Sequence, residues 1–367
     1  MSGTRRLLMT VDAVGGVWQY ATELATALAP RGWETVLALL GPAATPAQRG
    51  AVSAIVGARL IETGLPLDWL ADDAAAVSQT AEAVAALAAD KQVDLIHLNQ
   101  PALAATARFP TPIVAVAHSC VGTWWEAVHP GEPEPEAFGW QTDLMRRGLQ
   151  RADAAICPSA SFAEAVQRRY ALARPPHVVA NGRSPLAGPA GALHDFAFTA
   201  GRLWDAGKNV ATLDRAAARL GVPIKAAGPL AGPNGERVAV SHLHALGSVD
   251  TRRLAGCLAA RPVFVSAAKY EPFGLAVLEA ALAGCPLVLS DIPTFRELWG
   301  GAALFVPADD ADGFADAIEH VLRDGRERLT RGDLARRAAQ RFTPAQMAAG
   351  MAAIYRPLLA PQAKAAA

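Results

Sequence analysis

The sequence predicts an α/β protein with two doubly wound domains, each built on a parallel sheet with helices on both faces. Short apolar runs alternate with amphipathic helical segments along the chain, which is typical of parallel strands joined by helices. The alternation restarts after residues 183–193, which are rich in Gly, Pro and Ala and indicate a linker. The 367 residues suffice for two complete cores. We therefore expect a ligand between the domains, at the carboxyl ends of the strands.

The first domain is predicted over residues 1–182. Its apolar runs predict strands at residues 7–11, 35–40, 59–61, 95–98, 113–117, 154–157 and 177–180. The longer periodic segments predict helices at residues 18–28, 73–89, 138–150 and 161–170. The linker follows over residues 183–195.

The second domain is predicted over residues 196–342. Its strands are predicted at residues 196–200, 223–226, 245–247, 263–266, 287–289 and 303–306, and its helices at 209–220, 251–258, 275–282, 312–323 and 328–340. Residues 343–367 contain one more predicted helix, at 344–355, and a tail. Thr343 is a good N-cap for this helix and Pro344 a good first residue.

Composition excludes several classes of protein. The 34 basic and 34 acidic residues balance, so charge gives no argument for a nucleic-acid partner. No apolar run has the length of a membrane span or of a signal-peptide core, and we expect a cytoplasmic protein. The four cysteines are widely scattered and are predicted to be buried thiols. The oligomeric state is left open.

Residues 270–280, with the sequence YEPFGLAVLEA, are the most informative segment. An apolar strand leads into them, Pro272 and Gly274 break it, and a helical pattern follows. Glu271 therefore lies in a strand-to-helix loop, and Glu279 lies a little over one turn into the helix. Because a helix N-terminus attracts phosphate, this arrangement suits a ligand with phosphates at one end and hydroxyls at the other, such as a nucleotide sugar. The alternative is that both carboxylates lie on the surface and are stabilised by the helix dipole.

A second segment, TAGRLWDAGKN at residues 199–209, supplies the cations that such a ligand needs. A diphosphate leaving group gains charge as it departs. Arg202 offers bidentate binding to phosphate and Lys208 offers a point charge. The alternative is that both are solvated surface cations.

These two segments resemble the E-x7-E and G-R-L…K-N segments of retaining glycosyltransferases of the GT-B type, most closely family 4, the glycosyl transferases group 1. The resemblance covers nearly the whole chain and is strongest over residues 201–307. It implies two Rossmann-like domains that face across a cleft, with a C-terminal helix that crosses back onto the N-terminal domain. It also implies that Arg202 and Lys208 hold the diphosphate, that Glu271 contacts the transferred sugar and that Glu279 accepts hydrogen bonds from the ribose hydroxyls.

The resemblance implies further contacts to the donor through the backbone. The amides of Phe273, Gly274 and Leu275 are expected on the phosphates or sugar hydroxyls, and Gly247 lies in the strand whose backbone reads the base. Gly15 and Gly16 follow the first strand and are expected to let the backbone approach the donor, because Gly accepts positive φ and close contacts. A tight turn is the alternative for that pair.

The acceptor side is less well specified. His118 ends a strand, and we expect it to donate a hydrogen bond to a sugar hydroxyl, with a structural histidine as the alternative. His97 is common in the family and is expected to lie behind the site. Trp18, Trp124 and Trp125 are acceptor candidates because indole faces stack on sugar rings, although Trp is equally a core residue.

No metal and no cofactor are expected. Asp310 and Asp312 form a D-x-D sequence, but they precede a periodic helix and are predicted to cap it. In GT-B enzymes Arg and Lys take the part of the cation. Arg146, Arg147 and Arg151 share a helical segment with apolar residues, so a peripheral membrane contact is one interpretation, and ordinary surface placement is the favoured one.

The resemblance implies a retaining transfer of sugar from a nucleoside diphosphate sugar to a hydroxyl of a glycan, lipid or small molecule. Two alternatives stay open. One is a GT-B enzyme that is not a transferase, such as a nucleotide-sugar epimerase. The other is an inactive protein that binds nucleotide sugars. The base, the sugar and the acceptor are not predicted, because backbone contacts and loop shapes decide them.

Overall fold

The computed structural model describes residues 4–188 and 191–360. Contacts divide the described chain into two compact units. Unit 1 contains residues 4–123, 132–182 and 344–360, and unit 2 contains residues 124–131, 183–188 and 191–343. Each unit is a parallel sheet with helices on both faces.

Unit 1 has a seven-stranded sheet with the order β3-β2-β1-β4-β5-β6-β7, and every pair of neighbours is parallel. Its strands are β1 Arg5–Asp12, β2 Trp33–Leu40, β3 Ala58–Glu62, β4 Leu95–Leu98, β5 Ile113–Val116, β6 Ala154–Cys157 and β7 His177–Val178. The helices along this part of the chain are α1 Gly16–Leu28, α2 Pro46–Ser53, α3 Ala74–Asp90, α4 Val121–Val128, α5 Gly139–Arg151 and α6 Ala160–Tyr170. The chain order reverses between β1 and β4, which is where doubly wound sheets bind ligands.

Unit 2 has a six-stranded parallel sheet with the order β10-β9-β8-β11-β12-β13. Its strands are β8 Ala197–Ala200, β9 Ile224–Ala227, β10 His244–Gly247, β11 Val263–Ser266, β12 Leu287–Ser290 and β13 Ala303–Val306. Its helices are α7 Val210–Ala217, α8 Thr251–Ala259, α9 Leu275–Leu282, α10 Pro293–Trp299, α11 Ala311–Arg323 and α12 Gly325–Ala339. Here the chain order reverses between β8 and β11.

The last helix, α13 Pro344–Leu358, belongs to unit 1 although it follows unit 2 in the sequence. Met347, Met351 and Tyr355 are at most 1% exposed and pack into the core cluster that also holds the buried faces of β1 and α1. A second cluster fills the opposite face of the unit 1 sheet, between β4 and α3. The predicted return of the C-terminal helix to the first domain is confirmed, as is the fold class of two Rossmann-like α/β domains.

The thirteen predicted strands are present in the described chain, with ends that differ by at most two residues. Three helices, α2, α4 and α10, were not predicted. Helix α2 carries a capping box, in which Thr45 and Gln48 each accept a hydrogen bond from the other residue's amide, so it had a readable signal. Helix α10 lacks a side-chain N-cap and has seven residues, so its signal is weak.

Candidate active site

The two loops that carry the E-x7-E and G-R-L…K-N segments lie at the carboxyl ends of β11 and β8, the neighbouring strands where the order of unit 2 reverses. The carbonyl of Gly207 accepts hydrogen bonds from the amides of Lys269 (2.9 Å) and Tyr270 (3.2 Å). These bonds join the loop after β8 to the loop after β11. The fold therefore brings the predicted donor residues of the two segments together.

Lys208 and Glu271 form the closest ion pair at this edge. Lys208 Nζ lies 2.5 Å from Glu271 Oε2, and their side chains are 22% and 16% exposed. Glu271 precedes the N-terminus of α9, whose N-cap is Gly274 with φ +91°. Its positive φ favours glycine, and a Cβ at this position would also make tight contacts of 3.2–3.4 Å with Val277, Phe295 and Glu271.

The start of α9 is open to an anion. The amides of Phe273, Gly274 and Leu275 have no acceptor within the part of the chain that the structure describes. Free amides at a helix start, together with the helix dipole, bind phosphate. The Phe273 ring is itself buried against Phe342, with 5.4 Å between ring centroids, so Phe273 offers its backbone to a ligand and its side chain to the core.

Arg202 is 39% exposed, and its Nη2 lies 3.0 Å from Asp205 Oδ2. The other Asp205 oxygen accepts from the amide of Gly207 at 2.9 Å, and so caps the turn Ala206–Lys208. Asp205 is 8% exposed. One buried carboxylate thus orients Arg202 and shapes the turn that carries Lys208. No role was predicted for Asp205, although an Asp two residues before the glycine of a short turn is a readable cap signal.

Trp124 is the third group on Asp205. Its Nε1–H donates to Asp205 Oδ1 at 3.0 Å, and Nε1 would lie 3.0 Å from a Cβ placed on Gly207. Trp124 therefore packs on the turn that carries Lys208, beside the predicted donor residues, and its acceptor role stays a prediction. One face of Trp125 is covered by His129, since the rings stack with centroids 4.0 Å apart.

Glu279 lies in α9, and its Oε1 accepts from Arg183 Nε at 2.7 Å; the two side chains are 10% and 14% exposed. Arg183 was predicted only as the first residue of the linker, and the structure places its side chain beside the predicted ribose site. The described residues around it, 183–188 and 191–195, contain no helix or strand.

The sequence also did not predict that Asn209 and Gly228 hold the backbone at this edge of the unit 2 sheet. Asn209 adopts φ +51°, and its Nδ2 donates to the carbonyls of Ala267 (3.0 Å) and Ala308 (2.8 Å). Gly228 has φ +142° and donates to the carbonyl of Gly247 at 2.8 Å. Gly247 itself has φ +66° and ends β10 at a register shift. These contacts fix the backbone at the ends of β8, β9, β10 and β11.

In unit 1 the carboxyl end of β1 leads into the Gly15-Gly16 loop. Asp12 Oδ1 accepts from the amides of Val14 (2.9 Å) and Gly15 (3.1 Å) and so holds this loop. Gly15 has φ −143°, which any residue adopts, so this position does not use the tolerance of glycine for positive φ. No described atom lies within 4 Å of a Cβ placed on Gly15, so the backbone at this position has space for a ligand to approach. Gly16 is the first residue of α1.

Residues expected on the acceptor side are largely buried. Trp18 is 6% exposed and packs in the core of unit 1. His97 is fully buried, and its Nδ1 lies 2.6 Å from the hydroxyl of Tyr355. In this conformation neither side chain offers a surface to an acceptor. His118 is half-buried just beyond β5, and its Nε2 lies 2.8 Å from Asn99 Oδ1.

The arginines considered for a membrane contact bind within unit 1. Arg146 and Arg147 pair with Asp143 at 2.5 and 3.3 Å. Arg147 and Arg151 also donate to the carbonyl of Ala105, which ends the 3₁₀ helix Pro101–Ala105. Within residues 4–188 and 191–360, no helix combines the length and apolarity needed to cross a membrane.

The D-x-D sequence caps a helix, as predicted. Asp310 Oδ1 accepts from the amide of Gly313 at 2.8 Å at the start of α11, and Asp312 pairs with Arg219 at 2.7 Å. Across the described residues, no three His, Cys, Asp or Glu side chains are grouped to hold a metal ion.

Known proteins with similar sequence match only part of this chain. The phosphatidyl-myo-inositol mannosyltransferase of Mycolicibacterium smegmatis is 38% identical over 98 residues, which are 26% of this chain and 25% of that protein. The glycogen synthase of Mycobacterium tuberculosis strain H37Rv is 38% identical over 100 residues, which are 27% of this chain and 23% of that protein. The matches thus span about a quarter of the length of these curated relatives.

Solved structures match over nearly the whole fold. Sucrose-phosphate synthase from Thermosynechococcus elongatus has a TM-score of 0.77 at 22% identity, with 97% of this chain and 99% of that one covered. HepE of Anabaena in complex with UDP-glucose has a TM-score of 0.69 at 18% identity, with 96% and 99% covered. At these identities the likeness concerns the fold.

Two family models match this sequence, one in its N-terminal part and one in its C-terminal part. The model described as Glycosyltransferase Family 4 matches residues 14–185, and the model described as Glycosyl transferases group 1 matches residues 195–324. Together they cover every strand except β1 and both segments of the candidate site. This chain belongs to glycosyltransferase family 4, the glycosyl transferases group 1.

Proposed function

We propose that this protein transfers a sugar from a nucleoside diphosphate sugar to an acceptor hydroxyl with retention of the anomeric configuration. The observation that carries the proposal is the Lys208–Glu271 pair beside the open N-terminus of α9, where unit 2 reverses its strand order. Cations and free amides at that point match a diphosphate. Family membership supports the reaction class, and the UDP-glucose named with HepE of Anabaena supports the ligand class.

In the proposed reaction, Arg202 and Lys208 stabilise the charge that builds on the diphosphate as the glycosidic bond breaks. The departing phosphate oxygen accepts the proton of the attacking hydroxyl on the same face of the sugar, so no protein nucleophile takes part. Glu271 positions the sugar and holds Lys208 in place. Glu279, oriented by Arg183, accepts from the ribose hydroxyls.

The test is a thermal-shift panel of UDP, GDP and ADP and their glucose, mannose, galactose and N-acetylglucosamine conjugates. A donor at about a hundred times its dissociation constant stabilises the protein by about 2.7 kcal/mol. We expect the ligands of one base to raise the melting temperature of the protein. Arg202→Ala should remove this shift. Arg323→Ala should keep it, since Arg323 is a 76% exposed residue at the end of α11. No shift with any donor would contradict the proposal.

Product analysis separates transfer from the alternatives. Incubation of the bound donor with candidate acceptors should release nucleoside diphosphate and form a glycoside with the donor's anomeric configuration. Conversion of the donor to its epimeric nucleotide sugar, with no glycoside formed, would instead identify an epimerase. Binding without turnover, across glycan, lipid and small-molecule acceptors, would identify an inactive protein that binds nucleotide sugars.

A further inference from the structure

A group of buried polar side chains, with the half-buried His118 at its margin, lies at the carboxyl ends of β1, β4 and β5 in unit 1. Asn99 Oδ1 lies 2.8 Å from His118 Nε2 and 3.1 Å from His97 Nε2. Tyr355 OH lies 2.6 Å from His97 Nδ1, and the Tyr20 ring packs edge-on against the His118 ring with 4.5 Å between centroids. The geometry of this group fixes which ring nitrogen of His118 carries the proton.

The orientation of the Asn99 amide follows from its contact with the backbone of β1. The side-chain nitrogen Nδ2 of Asn99 lies 2.6 Å from the carbonyl oxygen of Thr10, and the backbone N–H of Asn99 donates to Thr10 Oγ1 at 2.9 Å. A carbonyl oxygen only accepts, so the NH₂ group of Asn99 must face Thr10. The oxygen Oδ1 therefore faces the two imidazoles.

Since Oδ1 only accepts, His118 must present a protonated Nε2 to it, because Asn99 is the one partner of that nitrogen in the described chain. A neutral imidazole carries one proton, so the Nδ1 of His118 then has a lone pair. His97 Nε2 also lies 3.3 Å from the Tyr20 hydroxyl and His97 Nδ1 lies 2.6 Å from the Tyr355 hydroxyl, whereas the Nδ1 of His118 has no hydrogen-bond partner in the described chain. His118 is also held neutral, because burial and the neighbouring His97 lower its pKa to about 3.

We propose that Asn99 is a positioning residue that fixes His118 in the Nε2–H tautomer, so that Nδ1 accepts a hydrogen bond from a sugar hydroxyl. This inference deepens the proposed function and rests on it. It reverses the direction of the hydrogen bond expected from the sequence, because the only N–H of the ring is used by Asn99. The hydroxyl belongs either to the transferred sugar or to the acceptor, and the binding experiment separates the two.

The tautomer is measured directly by ¹⁵N NMR of the histidine side chains of the full chain. The signals of His118, one of eight histidines, are assigned by their loss in His118→Asn. We expect Nε2 protonated and Nδ1 unprotonated in the wild type, and a mixture of tautomers in Asn99→Leu. Tyr355→Phe is the matched control: it removes a buried hydroxyl from the same group without a contact to His118 and should leave the tautomer unchanged. A protonated Nδ1 in the wild-type spectrum overturns the proposal, even where Asn99→Leu fails to fold.

Two conservative variants test which ring nitrogen meets the ligand. Asn places its amide oxygen near the position of Nδ1, and Gln places its amide near that of Nε2. A hydrogen bond contributes about 0.5–1.5 kcal/mol, so we expect His118→Asn to keep kcat/KM about three- to tenfold higher than His118→Gln. The opposite order overturns the proposal.

Ligand titrations followed by NMR show whether the hydroxyl belongs to the transferred sugar or to the acceptor. They also separate a failure of this proposal from a failure of the proposed function. We expect the Nδ1 signal of His118 to move on saturation with UDP-glucose or GDP-mannose but not with UDP or GDP, if the hydroxyl belongs to the transferred sugar. A shift with methyl α-mannoside assigns it to the acceptor. No shift with a donor that binds in the thermal assay, and none with the methyl mannoside, overturns the hydroxyl contact. Failure of every donor to bind overturns the proposed function instead, while the tautomer spectrum still decides the role of Asn99.

Discussion

At the scale of single residues, both carboxylates of the E-x7-E segment are held by cations, and only one of these pairs joins two residues that sequence analysis had singled out. Glu271 pairs with Lys208, and Glu279 pairs with Arg183. All four side chains are less than a quarter exposed, so each pair is screened less than a surface ion pair. A carboxylate in a close pair with Lys is oriented, and its charge is partly neutralised, which favours positioning over nucleophilic attack.

Glu271→Gln tests this assignment. Gln keeps an oxygen that accepts from Lys208 but cannot form a glycosyl ester, so we expect the transfer rate to stay within about tenfold of the wild type, equivalent to about 1.4 kcal/mol. The measurement is single-turnover transfer with the donor identified above. Glu319→Gln, in a half-exposed pair with Arg323, is the control and should have no effect. A rate loss of about a thousandfold, with a glycosylated peptide found by mass spectrometry in the wild type, would instead make Glu271 a nucleophile.

Arg328 is a buried residue whose side chain binds carbonyl groups of the chain before β8 and after α8. It is 3% exposed, and it donates to the carbonyls of His194 (2.7 Å) and Arg261 (2.7 Å) and to Asp195 (2.8 Å). Arg328→Ala leaves these acceptors without a donor, and we expect a loss of roughly 2–4 kcal/mol, seen as a lower urea midpoint. Arg336→Ala removes a half-exposed pair with Asp333 and should lose less than about 1 kcal/mol. Equal losses in both variants would contradict the argument.

At the scale of elements, the short turn Ala206–Lys208 is the point where a segment of α4 meets the donor residues. Trp124 and Gly207 both donate to Asp205 Oδ1, and Arg202 binds the other oxygen. The position of Lys208 therefore depends on an indole from a distant part of the sequence. The sequence does not predict this contact, because it joins positions 81 residues apart. The local sequence also does not distinguish Trp124 from Trp125.

A double-mutant cycle tests the coupling of Trp124 to the donor. Trp124→Phe keeps the ring but deletes the N–H, and Asp205→Asn keeps the shape but removes the charge. We expect each to weaken donor binding about three- to tenfold, and the double variant to be weaker by less than the product, because both act on the same turn. Trp125→Phe is the matched control and should bind the donor normally. Calorimetric titration of the donor gives the four affinities; strictly additive effects would show that Trp124 acts elsewhere.

The edge formed by the ends of β8 and β9 requires a glycine at position 228. A Cβ there would lie 1.8 Å from the carbonyl oxygen of Gly201, and φ is +142°. Gly228→Ala should therefore lower stability by roughly 3 kcal/mol or more and abolish donor binding. Gly221→Ala is the control, because among the described residues no atom outside its chain neighbours lies within 4 Å of a Cβ at that position, and it should stay within about 1 kcal/mol of the wild type. Thermal unfolding with and without donor measures both effects.

The strands were predictable because parallel, doubly covered strands are nearly continuous apolar runs, as in Val263–Ser266. The loops that carry Arg202, Lys208 and Glu271 were predictable because their residues follow strand ends, and Glu279 lies in the helix that follows the second of these loops. The residues that hold these loops in place were not predictable. Asp205, Asn209 and Arg183 act through contacts that join distant segments of the chain. The direction of the His118 hydrogen bond was likewise invisible, because it depends on how Thr10 orients Asn99.

At the scale of the whole molecule, unit 1 is discontinuous in sequence. The chain completes the seven strands of unit 1, forms unit 2, and only then supplies α13 to the core of unit 1. Residues 4–182 alone therefore lack the side chains of Met347, Met351 and Tyr355, which are at most 1% exposed in the complete chain. Without these side chains the core that α13 shares with α1 and β1 exposes apolar surface, so we infer that unit 1 gains stability when the C-terminal helix is added.

Met351→Ala tests whether this helix stabilises unit 1 in particular. Met351 is fully buried among the residues of α1 and β1, and truncation of a buried Met to Ala typically loses about 2–5 kcal/mol. In hydrogen exchange followed by mass spectrometry, we expect protection to fall in β1 and α1 of unit 1 while β8 and β11 of unit 2 keep theirs. Arg356→Ala, on the exposed side of the same helix, is the control and should leave all four elements unchanged. An equal fall in both units would mean that they unfold as one cooperative body, and the helix would then stabilise the whole chain rather than the unit it packs in.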